Sequence, residues 1–300
     1  MVEGARLESV YGRNLIEGSN PSLSAITKCL VLSVYVLTVS LSSVVSARSL
    51  GWETFNAEII PNTQLSLGAS IYEGSNIQGL LLNNEPFSGR TTNAPQIQTN
   101  LRLGARAEAI IGYTLWRSIQ DDVRSVGNGG DPWFFTKLQL WPAVSWVPTT
   151  SFIWGVLEPA ANPPIGADNL SFYAIVALSQ QVTLNPRHTF RADLNVGTGV
   201  YESNRRARQD DVFKFNIAGW WLPNHSSWQW GLEFNRDQEV KGRWFDFTQG
   251  FNSQYRRQRL AFSGQLAVNP YWAIQGIGSV GMVPTSEDWG VALQIHYRWH

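Results

Sequence analysis

The feature that most constrains this chain is an apolar side chain at every second position. At the C-terminus Val291, Leu293, Ile295, Tyr297 and Trp299 alternate with Ala292, Gln294, His296 and Arg298. Successive side chains of an extended strand point to opposite faces, so such a segment has one apolar and one polar face. The same period runs through Leu101 to Leu115, where Arg102, Gly104, Arg106, Glu108, Gly112 and Thr114 fall between. It recurs over Phe190–Val200, Trp228–Asn235 and Arg259–Val268. After Arg48 no amphipathic helix of useful length interrupts it, so the fold class is all-β.

Twelve strands follow, at 64–72, 77–82, 98–118, 133–146, 151–157, 170–184, 188–201, 212–221, 228–236, 255–268, 271–282 and 289–299. Pro142 sits inside one of them, where it removes a ladder hydrogen bond; residues 83–97 are left as a long connection, and ten to fourteen strands fit the pattern. From residue 119 the connections alternate. Those at 119–132, 158–169, 202–211 and 237–254 are long and polar; those at 147–150, 185–187, 222–227 and 269–270 are short and carry Pro148, Pro186, Pro223 and Pro270. Long and short connections in alternation characterise a closed antiparallel transmembrane β-barrel. Trp116, Trp133, Trp146, Trp221, Trp228, Trp272, Trp289 and Trp299 fall near strand ends, where interfacial girdles form. A soluble sandwich would instead have to bury them with partners for their N–H groups.

Composition narrows the function classes. Charged residues make up only 15% of the 300, hydrophobic residues 43%, and the net charge is zero. That excludes nucleic-acid binding by bulk positive charge, and it excludes a disordered chain. One long apolar run exists, Cys29 to Leu41, after Lys28 and before Val45-Ser46-Ala47. A basic residue, a short apolar core and a small-x-small ending describe a signal peptide over 26–47, cleaved after Ala47. Residues 1–25 carry Glu3, Glu8 and Glu17, and Gly18-Ser19-Asn20-Pro21 matches what a transfer-RNA T-arm encodes, so they read as a translated extension ahead of the true start. Residues 48–63 then form a periplasmic segment and 64–300 the barrel. Cys29, the single cysteine, lies in the signal, so the exported chain has no thiol for disulfides or Cys-ligated metal.

On these residues the chain resembles the Gram-negative outer-membrane β-barrels. Leu293, Ile295, Tyr297 and Trp299 resemble the C-terminal strand that the barrel-assembly machinery recognises, with His300 displacing the aromatic residue from the last position. Asn185-Pro186-Arg187-His188 and Asn269-Pro270-Tyr271-Trp272 resemble turns of small transporter-type barrels. The resemblance implies an outer-membrane location among lipid and covers 64–300 in architecture.

The chemistry lies on the polar faces. Arg102, Arg106, Lys137, Arg191, Lys214, Arg257, Arg259 and Arg298 face the lumen against Glu108, Asp193 and Glu233, eight cations to three acids. Barrel arginines either rigidify the wall by pairing or make a basic pore that favours anions. His225-Ser226-Ser227 resembles the His-x-Ser pair of outer-membrane lipid hydrolases, but Pro223-Asn224 ahead of it marks a turn, which is what these residues form for ordinary reasons. His188, His225, His296 and His300 do not cluster at metal spacing, and no cofactor-binding loop appears. The expected function is passive transport of small solutes, with anions as one candidate class, and no catalysis. The alternatives are a lipid hydrolase built on His225 and Ser227, and an adhesive barrel acting through loop 237–254 with Trp244, Phe245 and Phe247.

Overall fold

The computed structural model describes residues 54–77, 87–121, 125–160, 170–203, 208–224, 226–240 and 256–299. Every described residue belongs to one compact unit within Val44–His300.

Among the described residues fourteen strands form one antiparallel sheet: β1 Gln64–Ile77, β2 Phe87–Arg102, β3 Ala107–Thr114, β4 Arg117–Gln120, β5 Ser125–Asn128, β6 Trp133–Trp141, β7 Thr149–Leu157, β8 Ser171–Asn185, β9 His188–Ser203, β10 Arg208–Pro223, β11 Trp228–Val240, β12 Arg256–Ala267, β13 Trp272–Gly281 and β14 Trp289–Arg298. Twelve of them close a ring. β1 pairs with both β2 and β14, so the sheet has no free edge there. β4 and β5 are not ring members of their own. β3 pairs with residues 96–102 of β2 and β4 with residues 90–93, so β3 and β4 are two halves of one strand, interrupted at Leu115 and Trp116. The interruption is bridged by backbone bonds from Ala94 to Trp116 and from Leu115 to Pro95. The ring is a closed twelve-strand barrel, an architecture that leaves no sheet edge to face lipid.

The strands of the C-terminal half run where the period places them. The N-terminal half differs. Residues 98–118 are not one strand: 103–106 form a turn, closed by Leu103 N donating to Ala107 O. Four residues preserve the alternation of faces, so the periodicity passes through the turn unbroken. Residues 83–97 are not a long connection, because β2 begins at Phe87; the strand expected at 77–82 falls mostly outside the described residues. β6 ends at Trp141, immediately before Pro142. β9 and β10 extend through most of 202–211, expected as loop.

The outer face is apolar. Trp272 and Tyr297 pack ring to ring at 4.7 Å near the end that carries the short turns, with Trp299 4.9 Å from Tyr297. Trp289, paired with Val280, lies at the other end of the same hairpin. Eight residue steps at ~3.4 Å and ~40° tilt give about 20 Å between these aromatic levels, close to the ~25 Å apolar band of such barrels. Trp133 departs from the girdle. It pairs with Gly112 on the inner face, and its ring occupies the space that a Cβ on Gly112 would need.

Candidate functional site

Twelve strands at ~4.8 Å spacing and ~40° tilt enclose a ring about 24 Å across between backbones. Inward side chains take ~5 Å from each side, since facing sheets pack ~10 Å apart. The remaining gap admits about one extended chain. Residues 54–61 occupy it, so the segment expected outside the barrel runs within it.

An extended segment away from any strand leaves its N–H and C=O groups without ladder partners, and a buried one costs ~1–3 kcal/mol if unmet. Here side chains of the wall meet them. Glu233 Oε1 accepts from Thr54 N at 2.6 Å and from Thr54 Oγ1 at 2.5 Å. Asn195 accepts from Phe55 N and donates to Phe55 O. Ser179 Oγ accepts from Ala57 N at 2.7 Å, and Ser151 Oγ donates to Ala57 O. Lys137 Nζ donates to Asn56 O at 3.2 Å and Glu58 O at 2.6 Å. Glu108 Oε2 accepts from Ile60 N at 3.3 Å, and Arg102 Nη1 donates to Pro61 O at 2.5 Å. Seven strands, β2, β3, β6, β7, β8, β9 and β11, thus hold one segment through its backbone.

Apolar contacts complete the seat. Phe55 and Ala57 are buried against Ile110, Ile153, Ile175 and Ala177, and Phe55 meets Phe135 edge-on at 5.7 Å between ring centres. This part of the lumen is a dry core, which stabilises the segment by removing its apolar surface from water.

The inward charges are largely paired. Lys137 lies 2.6 Å from Glu108 and Arg191 2.9 Å from Asp193, all four buried. Asp193 also accepts from Ser179, at 2.6 Å, so an Arg191–Asp193–Ser179 relay ends on the N–H of Ala57. Lys214 donates to both Asp237 carboxylate oxygens at 2.9 Å. Arg257 pairs with Glu287 of the connection between β13 and β14. Arg259 is buried with its guanidinium 5.7 Å from the centre of the Tyr72 ring. Arg298, at the end of β14, is half-buried, and its backbone N donates to Tyr271 O. One assignment needs correction. Arg102, paired with Glu108 at the end of β2, reaches the seated segment at Pro61 O, whereas Arg106 is exposed in the 103–106 turn, because the chain reverses there instead of continuing along the wall.

Leu293 and Ile295 are exposed on the outer face of β14, next to β1 at the seam. His225, Trp244, Phe245 and Phe247 lie outside the described residues. Ser226 Oγ accepts from Trp228 N at 3.0 Å, a local turn bond, and Ser227 O accepts from Ala267 N at 2.8 Å, continuing the β11–β12 ladder. Among the described residues no three His, Cys, Asp or Glu side chains are grouped to hold a metal ion.

Sequence reasoning missed Asn195, Ser179, Ser151 and the segment they hold. A signal was present. Ile110, Ile153 and Ile175 lie on inward faces, inside runs apolar on both faces such as Phe152-Ile153-Trp154 and Ala174-Ile175-Val176. A wet lumen does not call for isoleucine; a filled one does.

The chain matches no protein-family model and no curated protein. Its likeness is to solved structures. An outer membrane channel from Pseudomonas putida F1 aligns with a TM-score of 0.57 at 10% identity, over 83% of this chain and all of that one. The NanC porin gives 0.49 at 8% identity, over 79% and 99%. The translocator domain of the autotransporter NalP from Neisseria meningitidis gives 0.45 at 9%, over 94% and 100%. At these identities the likeness is one of fold.

Proposed function

We propose that the chain is an outer-membrane channel for the passive passage of small polar solutes, narrowed by its own residues 54–61. The observation that carries this reading is the seat of that segment. It is bound through its backbone by side chains of seven strands, so it fills the lumen without belonging to the wall. A barrel needed only as a membrane anchor has no use for a separate occupant of this kind. The barrel fold shared with an outer membrane channel supports the same reading.

Anion preference is not part of it. Lys137, Arg191, Lys214 and Arg257 each face an acid, so a passing solute meets paired charge and not a basic wall. No catalytic step is part of it either.

Planar-bilayer recording tests the reading. The mature chain should conduct weakly, and deletion of residues 54–61 should raise the conductance several-fold. Removing Asn195 and Ser179 together, as N195A/S179A, should have the same direction by loosening the seat. Absence of current from all three proteins, each assembled by gel mobility, would overturn it.

A further inference from the structure

From β11 through β14 and β1 to β2 the inner wall carries amides in a row. Gln229 of β11 is directly paired with Gln265 of β12, Gln265 with Gln275 of β13, and Gln275 with Gln294 of β14. Gln294 pairs with Gly68 of β1, and Gly68 with Gln96 of β2. Directly paired residues lie ~4.5–5.5 Å apart, so Gln229, Gln265, Gln275 and Gln294 form a continuous lateral row, which Gly68 separates from Gln96. All five face inward, and no member of the row is ionisable.

A structural ladder would hand a hydrogen bond from each amide to the next. At Gln265 this row does not. Gln275 bonds sideways, donating to Ser263 Oγ at 3.3 Å and meeting His296 Nε2 at 3.2 Å. Gln265 is 1% exposed, and neither its amide nitrogen nor its oxygen has a hydrogen-bond partner. Asn235, one strand over and 3% exposed, is in the same state at both atoms. Leaving four such atoms unmet is costly, and a protein that needed only packing here could use leucine.

We propose that this amide row is a binding track for uncharged polyhydroxylated solutes, of the sugar or polyol class. The inference rests on the channel reading above. A hydroxyl both donates and accepts, and so does a carboxamide, so successive hydroxyls can exchange partners from one glutamine to the next. An ion gains nothing comparable from a row without charge. Rotation of the glutamine side chains, which have three free torsions, opens the track as the solute takes the place of neighbouring side-chain contacts.

The test uses the mature protein in liposomes, with arabinose as the uncharged probe and gluconate as the anionic one, read by swelling, alongside ion current in planar bilayers. Wild type should admit arabinose several-fold faster than gluconate. Q265L should slow arabinose entry about five-fold, the loss of one neutral hydrogen bond, while ion current stays near wild type. Q265E, of equal size, should slow arabinose and shift the current toward cations. Gluconate entering as fast as arabinose in wild type would overturn the proposal whatever the variants do. So would wild-type arabinose entry in an assembled Q265L. Ion current without arabinose entry removes the track and leaves the channel standing. Neither swelling nor current, with or without residues 54–61, removes both.

Discussion

Lys137 Nζ lies 2.6 Å from Glu108 Oε2, with side-chain exposures of 5% and 0%, and the same ammonium donates to the carbonyls of Asn56 and Glu58. One charge pair therefore joins two wall strands and the segment inside them. Removing one partner leaves a buried uncompensated charge. K137M should destabilise the barrel by ~3–5 kcal/mol, and E108Q/K137M should recover most of the loss. Thermal unfolding followed by heat-modified gel mobility measures both. Equal stability of K137M and wild type would show that the pair does not form.

Ala57 N donates to Ser179 Oγ at 2.7 Å, which brings these two residues within reach of a cross-link. Cys29 is the single cysteine of the chain, so a protein begun at residue 48 carries only the engineered pair. A57C/S179C should form an intramolecular disulfide on oxidation, seen as a mobility shift reversed by reductant. A57C/S279C, with the second cysteine on the opposite wall, should not. Cross-linking of both pairs, or of neither, would contradict the seat described for residues 54–61.

Glu287 gives the barrel a pH-dependent element outside the membrane-spanning strands. Burial alone would push its carboxyl up, but the guanidiniums of Arg257 and Arg259 overcome that and hold it below the usual carboxylate range. A depressed carboxyl contributes stability that is full above its unfolded value and is lost as pH falls through the folded one. The connection at 282–288 should therefore stay fastened to β12 at neutral pH and come loose only in acid. Fluorescence of a probe at Thr285 should report that release, and E287Q should show it already at neutral pH. A flat pH response in wild type would remove the Arg257–Glu287 fastening.

Tyr297 and Trp299 stand at the seam with Trp272. Charge at this interface opposes membrane insertion. Y297D/W299D should accumulate as unassembled protein in the periplasm, detected by fractionation and protease sensitivity. Normal yield in the outer membrane would show that the final strand does not direct assembly.

The ring was legible in the sequence where one face of each strand is apolar, as from β8 to β14. β2 was not, because Thr91, Asn93, Pro95, Gln96 and Thr99 carry no alternation. Its strand conformation comes from β1 and β3 on either side, a tertiary effect that local pattern does not encode. The turn at 103–106 was hidden because an even number of residues leaves the faces in phase. At the site, the inward acids and bases were legible as inward but not as partners. Glu108 and Glu233 bind backbone groups of residues 54–60, and backbone recognition leaves no mark on the sequence it recognises.

Every neighbouring pair in the ring but one is joined by a connection that stays local in sequence. The exception is β1 against β14, which spans nearly the whole barrel. The strand that makes this last contact is also the one to which residues 54–61 are covalently attached. One strand thus closes the ring against β14 and tethers what fills it, so the seam and its stopper are two ends of the same piece of chain.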